Sequence, residues 1–205
     1  INAPDRYAPG DFCVGRKEEH VDYLKLYNLE QYLFDDVKTS YQANKKLSAF
    51  DFFCIIIWKA NRAKSKVALK LVSHNGNATH DLNAIVEKLT TAIANAPNDK
   101  ARMRILIGEW KFRLPVASAV LTVLYPDSFT IYDIRVCDEL QNHHNVQNKT
   151  RFDDLWTGYQ AYLSDVRKKV PTISTLRDKD RTLWAKSFEK QLKNDISTLF
   201  RKDDE

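Results

Sequence analysis

The sequence has no long apolar run, so nothing in it reads as a membrane-spanning segment and no membrane partner is expected. Its three cysteines, Cys13, Cys54 and Cys137, stand singly, and no C-x-x-C pair occurs. That spacing argues against a disulfide framework, a structural zinc and an iron–sulfur cluster. The five histidines form no metal motif either. His143 and His144 are adjacent in a polar stretch and cannot share one helix face, so they read as surface residues and neither metal nor cofactor is expected. Two of the six prolines and two of the five glycines fall within residues 1–15, which read as an extended arm. The chain opens on Ile1 with no basic-then-apolar leader, so a cytoplasmic protein is expected, nucleoid-associated if bacterial. There is no internal repeat and no low-complexity tract.

What is present is material for a core: 43% of the 205 residues are hydrophobic and 11% aromatic. That length supports one sizeable core or two small helical lobes sharing one, read here as a single domain over 1–205. The net charge of +5 is unevenly spread. Between positions 59 and 70 there are five bases and no acid, with Lys59, Arg62, Lys66 and Lys70 at helical spacing. Lys100, Arg102, Arg104, Lys111 and Arg113 form a second cluster, opposed locally only by Glu109. Such clusters can follow a phosphate backbone, or they can be a solvated helix face.

Helical patterns dominate after the arm. Leu26, Leu29, Leu33 and Val37 recur at helical intervals within 16–41. Ser48 and Asp51 form a capping box for the next helix. There Phe50, Phe53, Cys54 and Ile57 form one face and Phe52, Ile55 and Ile56 cover the other, which predicts a central, all-round buried helix. Residues 74–79 read as a loop, followed by an amphipathic helix through Leu82, Ile85, Val86, Leu89 and Ile93 that ends before Pro97. A helix over 99–107, an apolar helix over 114–124 and an extended stretch over 125–132 precede a helix starting at Asp133. Two amphipathic helices close the chain within 151–200, the second carrying Trp184, Phe188, Leu192, Ile196 and Leu199. Residues 201–205 are too charged to pack.

The chemistry-bearing segment is IGEWKFRLPVASAVLTVLYPDSFTIYDIRV, residues 107–136. A helix runs into a turn at about 108–114, a second helix carries Ala117 at a close-packing position, and an apolar stretch with Phe129 and Ile131 ends in Asp133 at a helix start. This arrangement resembles the helix-hairpin-helix DNA glycosylases, the family of endonuclease III and the 8-oxoguanine glycosylases, over about residues 48–140. The resemblance implies an all-α, two-lobed fold with the active site between the lobes and the hairpin at its lip. It also implies that Asp133 is the catalytic carboxylate. Pro115, eighteen residues before Asp133, falls where bifunctional members carry a lysine nucleophile. The hairpin glycines are replaced by Lys111 and Arg113, whose charge can compensate for a lost backbone approach to phosphate. The cluster cysteines of endonuclease III are absent.

The implied function is a monofunctional DNA glycosylase that flips out a damaged or modified base and hydrolyses its N-glycosidic bond. An ionised carboxylate at Asp133 would stabilise the oxocarbenium-like sugar. An aspartate opening a helix is also an ordinary N-cap, and the two roles are compatible. Tyr132 and Trp58 are candidates for the base pocket, with core packing the alternative for Trp58. Lys111, Phe112, Arg113, Trp110, Lys59 and Arg62 are candidates for DNA contact. Arg135 is a further one, or pairs with Asp138 or Glu139. The expected partner is double-stranded DNA containing such a base, bound by a monomer. Two other readings stand beside this one: a non-catalytic DNA-binding protein on the same fold, and a helical module whose basic face meets an acidic protein.

Overall fold

Most helix starts among the described residues are fixed by short polar side chains that accept the free N–H groups of the first turn, whereas the helices beginning at Leu114 and Phe152 have no such cap. The computed structural model describes residues 22–74 and 80–200, and all regular elements among them are helical. The arm expected over 1–15, most of the loop expected over 74–79 and the tail 201–205 lie outside the described residues.

The helical stretch expected over 16–41 is a series of short pieces from Asp22 onward. These are α1 (Tyr23–Tyr27), α2 (Leu29–Tyr32), a π-helical turn (Leu33–Val37) and α3 (Lys38–Asn44). Asn28 makes the break, because its side chain caps α2 by accepting from the Gln31 N–H. α4 (Ala49–Ala60) starts at the capping box: Ser48 Oγ accepts from the Asp51 N–H at 3.1 Å and lies 2.7 Å from the Asp51 carboxylate. Tyr32 donates to the other Asp51 oxygen at 2.7 Å, so the cap also ties α2 to α4.

A 3-10 turn leads into α5 (Lys64–His74), and Asp81 and Asn98 cap α6 (Leu82–Asn95) and α7 (Asp99–Arg104). α7 widens into a π-helical turn, Ile105–Glu109, before a tight connection to α8 (Leu114–Leu124). α9 (Ile134–Leu140), α10 (Phe152–Lys169) and α11 (Leu176–Ser197) complete the order.

The central helix is α8, where the sequence pointed to α4. Nine of its eleven residues are buried, and Ala117, Ser118 and Ala119 let neighbours approach closely. α4 packs one side on α8 and α6, which leaves Phe50 and Ile57 exposed, contrary to the expectation of burial all round.

The stretch expected as extended over 125–132 begins with a turn at 126–128 and then runs, buried, from Phe129 to Tyr132. No strand lies beside it among the described residues, so hydroxyl groups supply its hydrogen bonds. Tyr159 accepts from the Thr130 N–H at 3.1 Å and donates to the Thr130 carbonyl at 2.6 Å. Tyr162 donates to the Ile131 carbonyl at 2.7 Å, and Ser118 Oγ accepts from the Tyr132 N–H at 2.9 Å. α8 and α10 together hold this strip, and the strip delivers Asp133.

α11 is turned against its own amphipathicity. Its buried face holds Leu176, Lys179, Asp180, Leu183 and Ser187, while Trp184, Phe188, Leu192 and Ile196, expected inside, are exposed. The buried polar groups have partners that reverse the usual preference. Lys179 Nζ donates to the Arg167 and Val170 carbonyls at 2.9 and 2.6 Å, capping the C-terminus of α10.

Candidate active site

Asp133 is the N-cap of α9: its Oδ1 accepts from the Arg135 N–H at 3.0 Å. Its Oδ2 is bound by the ammonium of Lys59 from the last turn of α4. Both side chains are mostly buried, at 14% and 18% exposure for Lys59 and Asp133. One carboxylate therefore serves a helix cap with one oxygen and an ion pair with the other. The buried strip 129–132 behind it holds its backbone in place.

Beside this pair opens a cavity of about 690 Å³. Its walls are Trp58 and Lys59 of α4, Glu30 of α2, Ile131 and Asp133 from the strip before α9, and Arg177, Asp178, Asp180, Arg181 and Trp184 of α11. Asp180 is 4% exposed and paired with Arg177. Burial pushes its carboxyl up to about 6 against the pull of Arg177 and Lys59, with Asp133 pushing the same way as burial. Arg177 also binds Glu30 at 2.8 Å and lies over the rings of Phe34 and Trp58, 5.4 and 5.1 Å from their centroids. The site thus brings together four carboxylates (Glu30, Asp133, Asp178 and Asp180), Lys59, the guanidiniums of Arg177 and Arg181, and two tryptophans around a space of small-ligand size.

The other residues singled out in the sequence are dispersed. Trp58 lines the cavity, half-buried and edge-on to Phe34. Tyr132 does not: it is 1% exposed, and its hydroxyl donates to the His143 carbonyl at 2.7 Å, so its assignment to a base pocket is corrected to a buried structural role. Trp110 and Phe112 are likewise corrected from DNA contacts to core residues, at 4% and 3% exposure. Trp110 packs against His74, and Phe112 reaches Phe52. The turn points these two rings inward because its polar residues point out.

Lys111 and Arg113 are exposed, and Lys111 adopts a left-handed backbone, φ 58°, at a position where the resemblance calls for glycine. Its ammonium binds the Gly108 carbonyl, and its own carbonyl accepts from Lys70 Nζ at 2.6 Å. Arg62 is exposed. Lys59 leaves the expected basic stripe and points into the cavity, which corrects its reading as a phosphate contact on the outer face. Much of the second basic cluster is neutralised: Lys100 and Arg104 pair with Asp153, and Arg102 pairs with Asp99. Arg135 pairs with neither Asp138 nor Glu139. It bonds Gln191 at 2.6 Å and lies over Trp184 and Phe188.

Sequence reasoning missed Asp180, Arg177, Glu30 and Trp184 as site residues. Asp180 and Arg177 sit in the charged run RDKDR, which has the composition of a solvated face. His143, expected at the surface, has a side chain only 7% exposed, with Nε2 2.8 Å from Asp165. Cys54 and Cys137 are buried thiols, each pushed up to about 11 by burial, which leaves them un-ionised and inert near neutral pH. Among the described residues no group of His, Cys, Asp or Glu is placed to hold a metal ion, and no helix is long and apolar enough to cross a membrane. Compared with family models, curated proteins and solved structures, the chain matches none. Its functional reading rests on the residues of the cavity and on the pattern in residues 107–136.

Proposed function

We propose that the chain is a DNA glycosylase that excises a damaged or modified base by hydrolysis, with Asp133 as its catalytic carboxylate. The observation that carries this reading is the Asp133 side chain, fixed at both oxygens on the wall of a cavity of about 690 Å³ with tryptophans on two sides. A base rotated out of the duplex needs such a space, and its departing sugar needs a negative charge held close. Lys59 keeps the carboxylate oriented. As the glycosidic bond lengthens, the sugar becomes the second cation beside Asp133, and a water attacks it from the open side. The two-lobed glycosylase-like arrangement belongs to the same proposal, with α2 and α4 as one side of the cleft and α9 and α11 as the other. Lys111, Arg113 and Arg62, exposed on the surface, are the groups available to duplex phosphates.

A non-catalytic DNA-binding protein on the same fold is the second reading, and the Lys59–Asp133 ion pair favours it, because a paired and capping carboxylate has a sufficient structural role. One experiment separates the two. Duplexes carrying single damaged or modified bases are incubated with the protein and then cleaved with alkali. An alkali-labile break at one of the lesions supports excision. Salt-sensitive duplex binding with no break at any lesion supports the non-catalytic reading.

A further inference from the structure

Trp184, which lines the cavity, and Phe188, one turn further along α11, stack with centroids 5.3 Å apart and planes 9° from parallel. Each is 41% exposed, although an aromatic pair on a helix of this length is ordinarily turned into the core. The guanidinium of Arg135 lies 5.3 and 5.4 Å from the two ring centroids. Among the described residues Arg135 has a carboxamide partner, Gln191, and no carboxylate. The nearest acids along α9 are already engaged, Asp138 by His144 and Glu139 by Lys190. Beside the cavity wall at Trp184 the surface therefore offers a half-exposed aromatic pair and a cation with no carboxylate partner among the described residues.

We infer that Trp184, Phe188 and Arg135 form a stacking platform for an unpaired nucleotide, its base on the aromatic pair and its phosphate on Arg135. The inference rests on the DNA reading of the cavity and deepens it, since it names the surface that receives the strand where pairing is lost. Charge decides the occupant. A second copy of the chain, or any apolar helix laid on Trp184, Phe188 and Leu192, would desolvate the guanidinium of Arg135 with only a neutral amide to satisfy it. A nucleotide supplies the phosphate and a π face at once, and aromatic stacking accepts any base. The apolar residues further along α11, Leu192 and Ile196, lie four and eight residues beyond Phe188 and extend the same face.

The test compares three probes of one sequence: a fully paired duplex, the same duplex with a single mismatched site, and the single strand. Affinities are measured for the wild type, Trp184→Ala, Phe188→Ala and Trp184→Phe, with circular dichroism and sedimentation as controls for fold and association. The wild type should prefer the mismatched duplex and the single strand over the paired duplex. Trp184→Ala and Phe188→Ala should each lower that preference about tenfold while leaving paired-duplex affinity unchanged, and Trp184→Phe should restore most of it. An unchanged preference in both alanine variants overturns the platform, whether or not excision occurs. Wild-type dimers that dissociate in Trp184→Ala with nucleic-acid affinities unchanged overturn it too and make the face a self-association surface. The preference without excision of any base keeps the platform and removes the glycosylase reading. Binding to none of the three probes removes both.

Discussion

Lys59 and Asp133, 74 positions apart, meet as an ion pair at the wall of the cavity. The contact joins the last turn of α4 to the first residue before α9, so two segments with separate caps share one electrostatic element. Asp133 keeps an oxygen for the Arg135 N–H, which fixes the carboxylate plane as well as its position. On the proposed glycosylase reading, such rigidity suits a carboxylate that must meet a charge existing only briefly.

Replacing Asp133 with Asn tests whether this charge is used. Asn caps helices as well as Asp, so α9 should persist, while the mostly buried Lys59 ammonium left facing a neutral amide should lower unfolding stability. The negative charge is lost, and single-turnover excision should fall by at least about a hundredfold. Affinity for lesion duplex should hold or rise, because repulsion from phosphates is relieved. Excision near the wild-type rate would leave Asp133 as a cap and nothing more.

The turn between α7 and α8 makes a different prediction. Lys111 is held at φ 58°, a conformation that costs a side-chain-bearing residue about 1 kcal/mol and glycine almost nothing. Lys111→Gly should therefore be neutral or stabilising by up to about 1 kcal/mol in denaturant unfolding, offset by the lost bond to the Gly108 carbonyl. In DNA binding the same change, combined with Arg113→Ala, should weaken all sequences alike. It should also flatten the salt slope by about 2 units of log K per log salt. An undiminished slope would remove this turn from the DNA surface.

The tight turn also shows what could be read from the sequence and what could not. Caps and apolar runs are local, so the Ser48 box, the Asp133 cap and the boundaries of α8 were legible residue by residue. The left-handed backbone at Lys111 was not, because lysine carries no propensity for it and the surrounding packing imposes it. Phe112 and Trp110 looked like contacts only because charged neighbours flank them, and flanking says nothing of which way a turn faces. Lys59 was hidden by its own spacing: with Arg62, Lys66 and Lys70 it makes a surface stripe on paper, while the ammonium reaches a carboxylate that no local pattern pairs with it. The orientation of α11 was illegible for a related reason. Its apolar positions predict one inner face, but Lys179 and Asp180 win that face through the α10 carbonyls and Arg177.

Asp180 gives a pH dependence with a definite sign. Its carboxyl is raised from 3.8 to about 6, chiefly by burial. As pH rises past about 4 the unfolded chain releases this proton while the folded chain keeps it until about 6. The stability that the protonated form contributes is thus fully present below pH ~4 and is lost as pH climbs to about 6, by up to about 3 kcal/mol. Asp180→Asn should remove this falling segment, so the difference between wild-type and variant unfolding free energies should change between pH 4 and 6 and be flat above 7. A constant difference across that range would mean that Asp180 titrates as a solvated carboxylate.

The final prediction concerns where the reaction stops. Pro115 stands at the position of the lysine nucleophile in bifunctional members of the family that residues 107–136 resemble, and it has no amine to offer. Lys111, the nearest lysine in sequence, has its ammonium on the Gly108 carbonyl and does not line the cavity. The amine that does line it is Lys59. Attack on the sugar needs a lone pair, and Lys59 is held in an ion pair with Asp133, the carboxylate that the proposed reaction uses. On the proposed mechanism water is then the nucleophile, and the expected product is an intact strand with an abasic site. Strand breaks should appear only after alkali or heat, and borohydride should trap no protein–DNA adduct, on lesion duplex or on duplex with a preformed abasic site. An adduct that forms with the wild type and vanishes in Lys59→Met, but persists in Lys111→Ala, would overturn the water mechanism. It would make Lys59 the nucleophile that Pro115 lacks, reached from α4 instead of from α8.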